Sequence, residues 1–161
     1  MTKLAAARLL ALAVPFALLA GAYGSQYLGG LHPCEMCYWQ RWPHFAAIAL
    51  ALVAYAVKGR VASSRLFVRL AALAIMVSGA IGVYHAGVEK GVFQGFTQCS
   101  MPPVGGSASA IIADIMARPM IRCDDVQFAF LGISMAGWNA ILSLGFGLLI
   151  LWLSIKPRHQ R

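Results

Sequence analysis

Charge is scarce in this chain, and negative charge is nearly missing. Of 161 residues only 11% are charged and five are acidic, while 60% are hydrophobic. So apolar a balance excludes an ordinary soluble domain, in which roughly a quarter of residues are charged. No acid precedes Glu35, lies between Met36 and Val88, or follows Asp125. Cysteine is also sparse: Cys34, Cys37, Cys99 and Cys123 are the only four, and none lies near either terminus or in the basic stretch 58–69. No convincing internal repeat is present.

Long uncharged runs fill the space instead. About 20 apolar residues suffice to span a bilayer. Leu9–Leu28 is such a run, and Leu70–Val88 is a second, carrying only His85 near its far end. Phe128–Ile155 is a third and is longer than needed, so it tilts or begins in the interface. Tyr38–Val57 is weaker, because Gln40, Arg41 and His44 cluster at its start. It is clean from Phe45 onward, and a charge one turn inside a span can snorkel to the interface. The pattern predicts an all-α membrane protein: one integral domain over 1–161, built as a four-transmembrane-helix bundle with outer loops 29–37 and 89–127. Lys3, Arg8 and Ala20-Gly21-Ala22 also resemble a cleaved leader, but the apolar run continues to Leu28, which favours a span.

The net charge of +8 is distributed as a topology signal. Lys3 and Arg8 precede the first span, Lys58, Arg60, Arg65 and Arg69 fill the link between the second and third, and Lys156, Arg158 and Arg161 follow the fourth. All five acids lie in the other two links. The positive-inside rule therefore puts both termini on the cytoplasmic side and argues against nucleic acid as a partner. The same orientation puts all four cysteines outside, where disulfides form and persist. Four cysteines allow three pairings; spacing makes Cys34–Cys37 and Cys99–Cys123 the plausible resting pairs.

In the first span Pro15 predicts a kink unless neighbouring helices compensate. Pro33 lets a helix start near Cys34. The loop after the third span is rich in Gly and Pro around Met101–Gly106. Ala108, Ile111, Ile112, Ile115 and Met116 then follow helical spacing, which predicts a short amphipathic helix over Ser107–Met120. It is too short to cross the bilayer and suits the membrane surface or the rim of the bundle.

The run Cys34-Glu35-Met36-Cys37-Tyr38-Trp39-Gln40-Arg41 carries the chemistry. A thiolate at a helix N-terminus is stabilised by the helix dipole, and Arg41 falls on the same face as Cys37. Glu35 opposes a thiolate at Cys34, so Cys37 is expected to be the more acidic thiol. Redox chemistry, half of a zinc site and a structural staple all fit two-residue spacing. A staple is weak, since so small a loop constrains little of the unfolded chain. An oxidising compartment opposes zinc. Arg41 suits either an interfacial anchor or a donor to a carbonyl oxygen on which negative charge develops. An intramembrane histidine is a functional candidate by default, which singles out His85. Tyr27, Tyr38, Trp39, Trp42 and Tyr84 fit an interfacial belt, and Trp138 reads as deeper packing. Nothing in the sequence gives Gln127 or Asn139 a role.

Pro33-Cys34-Glu35-Met36-Cys37-Tyr38-Trp39-Gln40-Arg41-Trp42-Pro43 resembles the Cys-x-x-Cys-x-x-Gln-Arg signature of the DsbB family. The resemblance extends over essentially the whole chain, through Tyr84-His85 and on to Cys123 and Phe130-Leu131-Gly132. It implies an inner-membrane thiol:quinone oxidoreductase that reoxidises a periplasmic DsbA-type dithiol oxidase, with ubiquinone or menaquinone as acceptor. On that resemblance Cys99 forms the mixed disulfide with the reduced partner, and Cys123 passes the oxidation on by exchange with Cys34. Cys37 meets the quinone with Arg41 beside it, and His85 is a quinone neighbour.

Overall fold

The computed structural model describes residues 2–95, 107, 109 and 122–155. Four long helices organise them: α1 (Lys3–Tyr27), α2 (Glu35–Ala56), α3 (Val61–Glu89) and α4 (Met135–Leu153). A two-stranded antiparallel hairpin, β1 (Ala129–Phe130) and β2 (Ile133–Ser134), leads directly into α4, with Ala129 opposite Ser134 and Phe130 opposite Ile133. The proposed Ser107–Met120 helix lies outside the described residues except for Ser107 and Ser109. Cys99 and the basic tail from Lys156 also lie outside them.

α1, α3 and α4 are each long and apolar enough to cross a membrane. At 22 residues α2 matches them in length, about 33 Å at 1.5 Å per residue, but its first turns are polar. Those polar groups turn inward: Gln40, Arg41 and His44 are all buried. Large apolar side chains point the other way, among them Phe16, Leu52, Leu66, Leu73, Ile141 and Leu148. An outward apolar surface with a small-residue interior is what a lipid-embedded bundle requires. The chain is a multi-pass membrane protein.

α3 is the central helix and packs extensively on α2 and α4, while α1 lies across α2 and α4 and touches α3 little. The inner half of the core is built from small residues at helical spacing: Ala7 and Ala11 on α1, Ala47, Ala51 and Ala54 on α2, and Val68, Ala71, Ala72 and Ile75 on α3, closed by Ile150 on α4. Gly82 sets the closest approach of α3 to α4. A Cβ there would lie 2.9 Å from the Ala136 carbonyl oxygen and 3.1 Å from the Ala140 nitrogen, both backbone atoms.

The helix boundaries differ from the apolar runs in three places. α1 starts at Lys3, six residues before its apolar run, and stays helical on both sides of the buried Pro15. α3 starts at Val61, so Arg65 and Arg69 are helical and not part of a link; nothing in 61–69 breaks a helix, and it extends beyond its apolar run. There Ser64 donates to the Ala54 carbonyl at 2.9 Å and Arg69 donates to Ser154 Oγ at 3.2 Å, tying α3 to α2 and α4. The third correction concerns Phe128–Ile155, which is not one helix. Leu131 and Gly132 both have positive φ, 53° and 76°, as a type I′ hairpin turn requires. Ser134 then caps α4, its hydroxyl accepting from the Gly137 N–H at 3.1 Å. Trp138 accordingly sits in the first turn of α4, half-buried, donating to the Phe130 carbonyl at 3.0 Å, and not in deep packing.

Candidate functional site

The start of α2 presents two sulfurs. Cys34 is the N-cap, extended at φ −76° and ψ 173°, and its sulfur accepts from the Cys37 N–H at 3.4 Å. One turn inward Cys37 brings its own sulfur to 3.1 Å from that of Cys34. A disulfide needs a further approach of about 1 Å. Met36 between them is fully buried and anchors the turn.

Cys123 reaches the same place from the far loop. It is buried in one cluster with Cys34, Met36 and Val88, flanked by Cys37 and Tyr84. Gln127 holds the two loops together. Its side chain accepts from the His32 N–H at 3.1 Å and donates to the His32 carbonyl at 2.7 Å. That clamp fastens the segment before Cys34 to the segment after Cys123. Three of the four predicted cysteines are thus brought together.

His85 joins them from α3. Its Nε2 lies 3.6 Å from the Cys34 sulfur and 3.8 Å from the Glu89 carboxylate. The two α2 thiols differ sharply. The hydrogen bond from the Cys34 thiol, with help from the helix-start N–H and the Arg41 charge, lowers Cys37 to about 7. The same hydrogen bond, together with burial, pushes Cys34 well above the ordinary thiol range. The order agrees with the sequence argument, but the main cause is the thiol–thiol contact and not Glu35.

Arg41 lies on the same wall but reaches sideways. It donates to Gln26 Oε1 at 2.6 Å and to the Ala22 carbonyl at 3.4 Å, and its guanidinium lies 4.6 Å from the Tyr23 ring centre and 5.0 Å from that of Tyr38. A cavity of about 250 Å³ opens between these groups, lined by Cys34, Cys37, Arg41, His85, Glu89 and Trp138 among others. It combines two sulfurs, a fixed positive charge and an imidazole at one end of an apolar bundle. Cys34, Cys37 and His85 also bring three ligand-type atoms within 4.8 Å of one another.

A polar network absent from the sequence reading lines the cavity through Gln40, His44 and Asn139 and continues behind it. Asn139 on α4 donates to Gln40 Oε1 at 2.8 Å and to the Ser78 carbonyl at 3.2 Å. Gln40 in turn meets His85 Nδ1 at 2.9 Å. His44 Nε2 lies 2.9 Å from Ser78 Oγ and 3.1 Å from Asn139 Oδ1, and Ser143 donates to that same oxygen at 3.0 Å. The signal was available: the default that marks an intramembrane histidine applies equally to Gln40, His44 and Asn139.

The sequence matches the family profile described as "Disulfide bond formation protein DsbB" over residues 5–153. Among relatives, a disulfide bond formation protein B of Xanthomonas oryzae is 30% identical over 149 residues, covering 89% of this chain and 86% of its own. A protein of the same name from Marinobacter nauticus is 26% identical over 152 residues, covering 88% of each chain. An uncharacterized protein of Rickettsia prowazekii is 28% identical over 129 residues, covering 78% of this chain and 73% of its own. No solved structure matches the chain at a significant level.

Proposed function

The chain belongs to the DsbB family, and from that premise we propose that it is an inner-membrane thiol:quinone oxidoreductase that supports disulfide bond formation by reoxidising a periplasmic DsbA-type dithiol oxidase. The observation that carries the reading is the meeting of Cys34, Cys37 and Cys123 beside His85 and a cavity bordered by Arg41. All four helices then cross the bilayer, α2 included, with both termini cytoplasmic and the cysteine end periplasmic.

The reaction balances as a two-electron exchange. The partner's two thiols become a disulfide, and a quinone takes up two electrons and two protons to become the quinol. A DsbA-type oxidant near −120 mV cannot be recharged by a glutathione-like poise near −200 mV, since each 30 mV is about 1.4 kcal/mol. A lipid-soluble quinone supplies the missing driving force and reaches a site at the bilayer edge. At about 250 Å³ the cavity has room for a quinone headgroup of one ring or two.

Within the chain, Cys99 takes the partner in a mixed disulfide, releasing Cys123 as a thiolate. Cys123 attacks the Cys34 sulfur of the Cys34–Cys37 disulfide, and the bond's electron pair leaves on Cys37. The lowered proton affinity of Cys37 suits it as that leaving group. Arg41 supplies positive charge beside the quinone oxygens, ubiquinone or menaquinone alike, and His85 borders the same space.

The test is quinone absorbance against time. Detergent-solubilised protein is mixed with quinone and a reduced DsbA-type dithiol, with Cys37→Ser as control. Catalytic loss of quinone that vanishes in the control supports the reading; folded protein that turns over neither quinone type refutes it. Three ligand-type atoms within 4.8 Å favour a second reading, a thiolate–imidazole cation site, whose signature is stoichiometric zinc with free thiols.

A further inference from the structure

The groups around the His85 ring are sorted by hydrogen-bonding type. Gln40 Nε2 lies 3.1 Å from the Met36 carbonyl and 2.9 Å from His85 Nδ1, so its two N–H groups have two acceptors. Its Oε1 accepts from Asn139 Nδ2 at 2.8 Å, and that same nitrogen donates to the Ser78 carbonyl at 3.2 Å. Flipping either amide would set oxygen against a backbone carbonyl oxygen. Both orientations are therefore fixed by groups that can only accept. It follows that Nδ1 of His85 receives an N–H and carries its lone pair there. The other nitrogen lies 3.6 Å from the Cys34 sulfur, whose own S–H is turned to Cys37, and 3.8 Å from the Glu89 carboxylate; the Cys123 backbone also accepts a hydrogen bond from the ring.

We propose that Gln40, oriented by Asn139, is a positioning residue that holds His85 as its neutral Nε2–H form and thereby keeps the anionic sulfur on Cys37 and off Cys34. A second ring proton at Nδ1 would meet the Gln40 N–H head-on. His85 is thus a hydrogen-bond donor to Cys34 but cannot become the imidazolium that would draw a thiolate onto it. Cys37, beside the cavity and Arg41, is left as the thiolate. Of the other titratable and charged groups near the ring, the Glu89 carboxylate lies 3.8 Å from Nε2, the Cys123 backbone accepts a hydrogen bond from the ring, Arg122 lines the cavity, and His44 is bound to Ser78 and Asn139. The same proton removes Nε2 as a cation ligand, which weighs against the zinc reading.

The proposal takes its purpose from the redox reading above, but its test needs no quinone. Reduced full-length protein in detergent is compared with Gln40→Glu and Gln40→Met. Ring-¹⁵N spectra are read with His85→Asn to identify the signals, and alkylation of each cysteine is followed by mass spectrometry from pH 6 to 9. Wild-type His85 should show a protonated Nε2 and a bare Nδ1 at pH 7, with Cys37 alkylating first. In Gln40→Glu the carboxylate accepts an Nδ1–H, an imidazolium becomes possible, and Cys34 should alkylate about tenfold faster or more, the effect of an opposite charge placed beside a thiolate. Gln40→Met should move in the same direction by less. Damage to packing alone gives no such gain at one chosen sulfur. A protonated Nδ1 in wild type overturns the proposal whether or not the variants fold. So does an unchanged order of alkylation in both variants. The predicted ring state in a wild type that turns over no quinone would leave this proposal standing and sink only the redox reading.

Discussion

The acidity of Cys37 gives the most quantitative prediction. With its thiol lowered to about 7, half of Cys37 is thiolate at pH 7. An ordinary thiol near 8.5 is only about 3% thiolate there, which is a ~16-fold advantage in population. Each thiolate is also less nucleophilic, by roughly fivefold for a shift of about 1.5 units at a Brønsted slope of 0.4–0.5, leaving a net gain of about threefold at pH 7. The sign follows from the lowered value: reactivity climbs between about pH 6 and 8 and is flat above, where an ordinary thiol is still rising. Iodoacetamide labelling of reduced protein from pH 5.5 to 9.5, resolved by cysteine, reads this directly. The structure also ranks the causes. The Cys34 thiol donor comes first and the Arg41 charge later. Cys34→Ala should therefore raise the Cys37 midpoint more than Arg41→Gln does. A midpoint above 8.5, or a larger shift from Arg41→Gln, would refute this account of the thiol pair.

Three further outcomes follow from the geometry. Gly82→Ala forces a Cβ to 2.9 Å from the Ala136 carbonyl, against backbone that cannot swing aside. It should cost about 1–3 kcal/mol in detergent unfolding titrations, whereas Gly145→Ala, where nothing lies within 4 Å, should cost nothing. Gln127→Ala removes both hydrogen bonds to His32 and should lower oxidative Cys34–Cys123 crosslinking several-fold in a Cys37→Ser, Cys99→Ser background, read by peptide mapping. Asp124→Asn breaks only an exposed ion pair with Arg122 and should leave Tm unchanged in a thermal scan, although Arg122 holds that carboxyl down to about 2.

Much of the molecule was legible because a bilayer imposes one-dimensional rules. A long uncharged run of about 20 residues reads as a helix, the structure that satisfies its own backbone within one segment in lipid. α1 and α3 follow from that. Cys34 at a helix start was visible through Pro33, and the pairing of Arg41 with Cys37 on one face through helical spacing. The starts of α3 and α4 were less legible: α3 extends back beyond its apolar run to Val61, and apolar residues fill a hairpin as readily as a membrane helix, with Gly132 and Ser134 as the turn and cap signals.

The amino-acid sequence by itself determined the membrane class, the helical runs and the residues able to carry redox chemistry. Tertiary structure alone decided which of them meet. Cys123 reaches Cys34 through the Gln127–His32 clamp, a contact between positions distant in the chain. Arg41 is aimed by Gln26 and Tyr23 of α1 and by Tyr38 of its own helix. The proton on His85 depends on Gln40 and Asn139 from two other helices. Periodicity tells which face a side chain occupies, but hydrogen-bond direction depends on what the facing helix offers, and that is settled only when the helices pack.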